Sequence, residues 1–374
     1  MTTTRSSEPP VTRTSRPWRR HRWPVWAGYA AGAWSLGYGL LGLYWTLGGA
    51  GFPFGMEHDK DAKNMSLLEY VHQDTTAPVI AAVGLGGALL AFVMTHRQHR
   101  SRSATALAAT SWTMAAGLAI VIPDYRPLLA VVRAPVLLIG APFGWPEQVG
   151  LKDFFPLFLP WPVANQLLLI CGGILWAAAA VAFQRRSRDS CADCGRADLP
   201  AGWATPAAAA RWGRRAVYVA VAVPIGYAMT RWAFALDIPL GVSREGLHKE
   251  ARESPGIWLG GAILATMGAG GAALTLGLVQ RWGEVYPRWV PRLRGKPVRP
   301  RTAIIPASLV AILITSAGLM WVRWLVLGRF HLEKETWGLF APQLFWPLWG
   351  AALGVATLAY YLRRRGPCAY CRRS

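Results

Sequence analysis

Charged residues are scarce in this chain of 374 residues, and acidic residues are the scarcer kind. Only 16% of the residues are Asp, Glu, Lys or Arg, whereas soluble domains average about 25%. The chain has 19 acidic against 40 basic residues, and 53% of its residues are hydrophobic. Short apolar runs alternating with polar helices are also missing, which excludes an ordinary soluble α/β enzyme.

Residue patterns that carry catalysis or cofactor binding are missing too. No two of the 7 histidines lie within the apolar runs as a haem-binding pair would. We find no nucleophile–base pair, carboxylate pair or phosphate-binding glycine loop in a suitable context. No nucleic-acid-binding module is recognisable, so we expect no nucleic-acid partner in spite of the net charge of +21. The sequence favours a protein that is not an enzyme, with no catalytic residue to name.

What the chain does have is eight long apolar runs, each near the ~20 residues that a helix needs to cross a bilayer. Helices are expected because an open strand in lipid leaves its backbone groups unpaired. The sequence therefore predicts an all-α, polytopic membrane helical bundle. A further stretch, 128–143, is predicted to be re-entrant or interfacial. The eight runs are 25–47, 78–95, 104–122, 162–183, 216–236, 257–280, 303–328 and 341–362.

The basic residues are concentrated in alternate loops. With the N-terminus in the cytoplasm, the cytoplasmic segments hold 28 of the 40 Lys and Arg but only 5 of the 19 acidic residues. This asymmetry follows the positive-inside rule. We expect the cytoplasmic membrane, both termini in the cytoplasm, and contact with the anionic inner leaflet. Trp282 and Trp289, in the basic loop 281–301, are predicted to lie at the lipid interface. The alternative, which the sequence leaves open, is that this loop binds a partner.

Short motifs recur in the same order in the two halves of the chain. Gly84-Leu-Gly-Gly-Ala-Leu-Leu matches Gly268-Ala-Gly-Gly-Ala-Ala-Leu, and their small residues predict close helix packing. Because each half crosses the membrane an even number of times, the repeats are expected to be parallel, as in some transporters. The predicted divisions are a disordered basic tail 1–23, a four-helix repeat 24–195, a cytoplasmic linker 196–213 and a second repeat 214–374.

Four of the five cysteines form two Cys-x-x-Cys pairs, each directly after the last apolar run of a repeat. In the reducing cytoplasm a lasting disulfide is not expected. Two such pairs are the ligand set of a tetrahedral zinc site. Gly195 suits the tight turn of a zinc knuckle, whereas Arg372 in the matching place weakens the resemblance. One structural zinc, redox dithiols and separate thiols are all compatible with the spacing. The pairs are Cys191 with Cys194 and Cys368 with Cys371.

Two arginines, Arg231 and Arg323, stand inside apolar runs, where a charge is costly and indicates a function by default. Each lies about one and a half turns from the outer end of its run. Their side chains either reach the outer headgroups or face a cleft. In the cleft they would pair with Asp124 or Asp237 and bind an anionic solute.

Four stretches of the chain carry a resemblance to a protein group. They are similar to uncharacterised multipass membrane proteins of high-GC actinobacteria, over most of the chain. The resemblance implies a membrane location and carries no activity. The stretches are Trp23-Pro-Val-Trp-Ala-Gly-Tyr-Ala, Thr230-Arg-Trp-Ala-Phe-Ala-Leu-Asp-Ile-Pro-Leu-Gly, Arg281-Trp-Gly-Glu-Val-Tyr-Pro-Arg-Trp-Val-Pro and Tyr360-Tyr-Leu-Arg-Arg-Arg-Gly-Pro-Cys.

For function, the sequence favours a non-enzymatic protein that transports or senses a small solute. The alternative is a membrane thiol–disulfide oxidoreductase that uses the two cysteine pairs.

Overall fold

Helices account for the regular structure of the chain. The computed structural model describes residues 23–96, 102–140, 156, 159–188, 190–197, 202–288, 290–368 and 370–372. Within these ranges the one β pairing is an isolated bridge between Val285 and Pro297. The all-α prediction is confirmed. The predicted disordered tail, except for Trp23, and the interface residue Trp289 lie outside the described residues.

Each of the eight predicted runs coincides with helix. A π-helical turn, Gly117–Val121, continues α3. The helices of the described residues are α1 (Trp23–Thr46), α2 (Gln73–His96), α3 (Arg102–Ala116), α4 (Arg126–Gly140), α5 (Trp161–Ser187), α6 (Pro206–Ala235), α7 (Arg244–Glu253), α8 (Ile257–Leu276), α9 (Pro300–Val326), α10 (Trp337–Leu344) and α11 (Trp346–Arg364).

The helix starts follow from local sequence. Proline occupies the first turn of α5, α6, α9 and α11, where its missing N–H leaves no helical hydrogen bond unmade. Thr205 caps α6 by accepting from the backbone N–H of Ala208 at 3.3 Å. Ser243 caps α7 in the same way, accepting from Gly246 at 3.0 Å. These signals fix where each helix begins.

Seven segments of the described chain are long and apolar enough to cross a membrane, as in a multi-pass membrane protein. They are α2, α3 with its π turn, α5, α6, α8, α9, and α10 with α11. Helix α1 is not among the seven, although it has 24 residues and none of them is charged. Its many Gly, Tyr and Trp residues lower its hydropathy. The predicted re-entrant stretch 128–143 falls largely on α4, a 15-residue helix that is shorter than the ~20 residues of a span.

The same pattern of helix contacts occurs in both halves. In the first half α1 packs against α2 and α5, and α3 packs against α5. In the second half α6 packs against α8 and α11, and α9 packs against α11. The glycine motifs differ, however. A Cβ added at Gly39 of α1 would lie 2.8 Å from the backbone N of Leu85, whereas one added at Gly268 would meet nothing within 4 Å. The backbones therefore approach closely at the first motif, whereas in the second motif Ala272 is buried and Gly268 is open.

The two halves also meet along the C-terminal half of α9. Ser316 donates to the carbonyl of Pro123 at 2.7 Å. Further along α9, the indole of Trp324 donates to the carbonyl of Asn64 in the loop between α1 and α2. This loop is thereby held against the second half.

Candidate metal centre

The two Cys-x-x-Cys pairs occupy equivalent places after their helices. Cys191 follows the last residue of α5, Ser187, by four positions. Cys368 follows the last residue of α11, Arg364, by the same four positions. The number of residues between the end of the helix and the first cysteine of the pair is therefore the same in both halves.

The backbone turns around the two pairs have the same shape. The N–H of Gly195 donates to the carbonyl of Cys191 at 2.8 Å, and the N–H of Arg372 donates to the carbonyl of Cys368 at 2.8 Å. Gly195 has φ +71° and Arg372 has φ +58°, so both residues are left-handed. A left-handed residue other than glycine costs roughly 1–2 kcal/mol. Arg372 thus adopts the same left-handed turn as Gly195, although this conformation is unfavourable for arginine.

The four sulfurs converge. Sγ of Cys191 lies 3.9 Å from Sγ of Cys368, and Sγ of Cys194 lies 3.6 Å from Sγ of Cys371. All four lie within 4.8 Å of one another. A tetrahedral zinc site with metal–sulfur distances of about 2.3 Å requires sulfur separations of roughly 3.8 Å. The four cysteines therefore lie close enough to hold one metal ion.

Several arginines lie around the cluster, among them Arg365 of the second half, whose guanidinium donates to the carbonyl of Cys194 at 3.5 Å. The guanidinium of Arg196 donates to the carbonyls of Arg365 and Gly366 at 3.1 and 3.0 Å. Arg185 donates to the carbonyl of Asp193 at 2.6 Å. A zinc ion with four thiolates carries a net charge of −2, so nearby guanidinium groups would stabilise it. Arg196 in addition ties the first cysteine turn to the chain that leads into the second.

The thiol environments differ within the first pair. Burial raises the pKa of the Cys191 thiol. Burial acts in the same direction on Cys194, but hydrogen bonds from the backbone N–H of Arg196 and with the other three cysteines outweigh it and lower its pKa to about 7. The thiolate is the form that binds metal. Within the first pair, Cys194 is therefore the thiol that is more readily deprotonated near neutral pH.

The fifth cysteine, Cys171, lies on α5 and is exposed. A cysteine inside an apolar run is most often a small apolar core residue. The side chain of Cys171 does not face the interior, and the residue does not belong to the four-cysteine cluster.

Arg231 is buried inside the second half. Its guanidinium donates to the carbonyls of Gly338 and Leu339 at 3.1 and 2.8 Å. It lies over the ring of Tyr227 at 4.8 Å and over that of Phe234 at 5.3 Å. Among the described residues, no carboxylate lies within ion-pair distance of it. The second half therefore holds a buried positive charge whose partners here are carbonyl groups and aromatic rings.

The other predicted solute-binding residues lie apart from Arg231. Arg323 donates to the carbonyl of Met65 in the loop between α1 and α2. Asp237 is exposed and accepts from Nε2 of His248 at 2.8 Å. Asp124 is buried and pairs with a different arginine, Arg126. Within the described chain, the four residues thus have four different sets of hydrogen-bond or ion-pair partners.

The buried ion cluster around Arg126 was not anticipated from the sequence. Arg126 pairs with Asp124 at 2.7 Å and with Asp59 at 2.8 Å, and all three side chains are less than a tenth exposed. Gln166 of α5 donates to Asp124 at 2.8 Å. Burial raises the pKa of Asp59, and the charge of Arg126 partly opposes this. The cluster joins the loop between α1 and α2, the segment that leads from the π turn into α4, and α5.

Trp282 of the predicted lipid interface lies just after α8, in a short 3-10 helix, Arg281–Gly283. Its indole N–H donates to Oε1 of Gln280 at 2.6 Å. The ring is 37% exposed and forms part of the wall of an apolar cavity.

Comparison with known proteins yields no relative: no protein-family model, no curated protein and no solved structure matches this chain.

Proposed function

We propose that the chain is a cytoplasmic-membrane protein with eight crossings and two cytoplasmic termini. The seven apolar segments support the membrane assignment. Contacts of α1 with α2 support the eighth crossing: Gly28 lies against Thr95 and Gly42 against Ala81, so the helices run antiparallel over most of their length. A helix free of charges and aligned with a spanning helix belongs in the same hydrocarbon layer.

A first prediction concerns this topology. A reporter that is active only on the extracytoplasmic side should be active when fused at residues 60, 250 and 334. A reporter that is active only in the cytoplasm should be active when fused at residue 290 and at the C-terminus. The reason is the excess of Lys and Arg in the segments assigned to the cytoplasm. Modification of Cys368 by an impermeant thiol reagent added to intact cells would contradict the assignment.

We further propose that residues 24–195 and 214–374 are parallel repeats. The matching helix contacts of the two halves support this. The identical four-residue spacing before Cys191 and Cys368 supports it independently. A pseudo-two-fold axis along the membrane normal would relate the repeats. The relationship to membrane proteins of actinobacteria stays a prediction.

The best-supported role of the cysteines is a structural zinc clamp between the repeats. The convergence of the four sulfurs carries this proposal. Metal analysis of the purified full-length protein should give about one zinc per chain, as expected for a closed four-thiolate site. Metal-free protein in which the thiols form reversible disulfides would instead favour the thiol–disulfide oxidoreductase, which the same cluster of thiols permits.

For activity we propose binding of a small anionic solute, for transport or sensing, by a protein that is not an enzyme. The buried guanidinium of Arg231 supports this, because its charge lacks a carboxylate partner in the described part of the chain.

A second prediction tests this role of Arg231. In a screen of chloride, nitrate, phosphate, sulfate and acetate, at least one anion should raise the unfolding temperature of the wild-type protein. The same anion should have no effect on the Arg231→Met variant, because the charge that attracts it is gone. Removal of the exposed Arg252 by Arg252→Met provides the control and should leave the response intact. An unchanged response in Arg231→Met would contradict the proposal.

A further inference from the structure

The second half contains a large apolar cavity. It measures about 1020 Å³ and lies between α8, α9, α11 and the segment 282–298. Leu274, Pro306, Val310, Trp349 and Leu353 are part of its wall. Typical ligand sites occupy about 300–1,000 Å³, so the cavity has room for a large apolar group.

A folded hairpin covers one end of this cavity. The N–H of Tyr286 donates to the carbonyl of Lys296 at 3.0 Å and closes the hairpin. The hydroxyl of Tyr360, on α11, donates to the carbonyl of Gly283 at 2.7 Å and holds the hairpin in place. Tyr286 and Trp282 both line the cavity. The apolar space is therefore bounded by a fixed loop at the end of the helices.

The surroundings of this end are strongly basic. Residues 281–301 include seven Lys and Arg but a single acidic residue, Glu284. Arg299 and Arg301 are exposed at the start of α9. The next residues of the helix, Thr302 and Ala303, line the cavity, and Arg301 also lines a neighbouring pocket beside Cys194 and Cys368. The N-terminus of this 27-residue helix adds a further partial positive charge. An anionic group at the mouth would thus be attracted from several directions.

We propose that the cavity binds the hydrocarbon chain of a lipid whose phosphate group lies at Arg299, Arg301 and the start of α9. The apolar wall matches the chain, and the basic residues match the phosphate. This inference rests on the proposed topology, which places this end of α9 at the inner leaflet. A phospholipid and a polyprenyl phosphate share the required chemistry.

The test uses two variants of α8. Gly271 lines the cavity, and a Cβ added there meets nothing within 4 Å, so Gly271→Leu should fill the space without disturbing the helices. Gly270 is equally open but does not line the cavity, so Gly270→Leu is the matched control. Delipidated full-length protein in detergent is titrated with phosphatidylglycerol and observed by native mass spectrometry. Gly271→Leu should bind about tenfold more weakly or worse, and Gly270→Leu should bind like the wild type.

A charge variant tests the headgroup site. Arg299→Gln with Arg301→Gln should weaken phosphatidylglycerol binding about fivefold for each arginine at low salt. Binding of phosphatidylcholine, which has no net charge, should be weak and unchanged. A parallel titration with undecaprenyl phosphate shows whether the phospholipid or the polyprenyl phosphate binds more tightly.

Equal binding by wild type and Gly271→Leu would overturn the proposal, and so would equal losses in Gly271→Leu and Gly270→Leu. Detergent-solubilised protein exposes both of its ends to the lipid. The titration therefore succeeds or fails independently of orientation, which the reporter fusions decide.

Discussion

Replacing Cys191 and Cys194 by serine is expected to reduce the zinc content from about one ion per chain to nearly none. Two ligands of a tetrahedral site would be lost, and the remaining pair binds zinc far more weakly. The two halves should then separate more easily on the inner side. Limited proteolysis of the segment between α5 and α6 should become faster, and the unfolding temperature should fall. Membrane insertion should be unchanged because it depends on apolar runs and flanking charges.

The control for this experiment is Cys171→Ser. Cys171 is exposed and lies outside the cluster. The Cys171→Ser variant should therefore have the zinc content and the unfolding temperature of the wild type. Cys368→Ser with Cys371→Ser should reproduce the loss seen with the first pair, because each pair supplies half of the ligands. A full zinc content in either double variant would show that the clamp does not exist.

Replacing Arg126 by methionine is expected to destabilise the first half by about 3–5 kcal/mol. The substitution leaves the buried carboxylates of Asp124 and Asp59, which are 1% and 7% exposed, without their common partner. The loss should be measurable as a shift in unfolding by sodium dodecyl sulfate, observed by tryptophan fluorescence. Trp45 and Trp176 are fully buried in this half and would report its opening.

A matched control removes an ion pair at the surface. Lys249 lies 3.9 Å from Glu253, and both side chains are more than half exposed. Lys249→Met should therefore leave unfolding unchanged. In Asp124→Asn with Arg126→Met, the loss should be smaller than the sum of the two single losses, since the partners share one network. Strict additivity, or a wild-type midpoint for Arg126→Met, would contradict the role given to the cluster.

The fold was predictable from the sequence where a single physical requirement dominates. Each apolar run of membrane length became helix because helices satisfy their own backbone groups in lipid. The approach of the two cysteine pairs followed from the repeated order of motifs rather than from their spacing, since Cys191 and Cys368 are 177 residues apart. The turn at Arg372 could not be predicted from residue preference, because its backbone is left-handed although the residue is not glycine.

Features that depend on contacts between distant residues could not be predicted. Arg126 resembled any charge in an outer loop, and its burial depends on Asp59, 67 residues earlier in the chain. The partners of Arg231 are backbone carbonyls more than 100 residues away, at separations of 107 and 108. Because every residue has a backbone carbonyl, the sequence does not indicate which carbonyls an arginine will contact.

The placement of the cysteine pairs also orders the events of biosynthesis. The first pair is synthesised before any helix of the second half, whereas the second pair follows α11. A nascent chain therefore holds two thiols through the whole insertion of the second half and acquires all four only when that half is complete. Coordination would then link two cysteines that are 177 positions apart. Closing so long a loop would lower the conformational entropy of the unfolded chain. Metal binding would therefore join the two halves only after α11 has been synthesised.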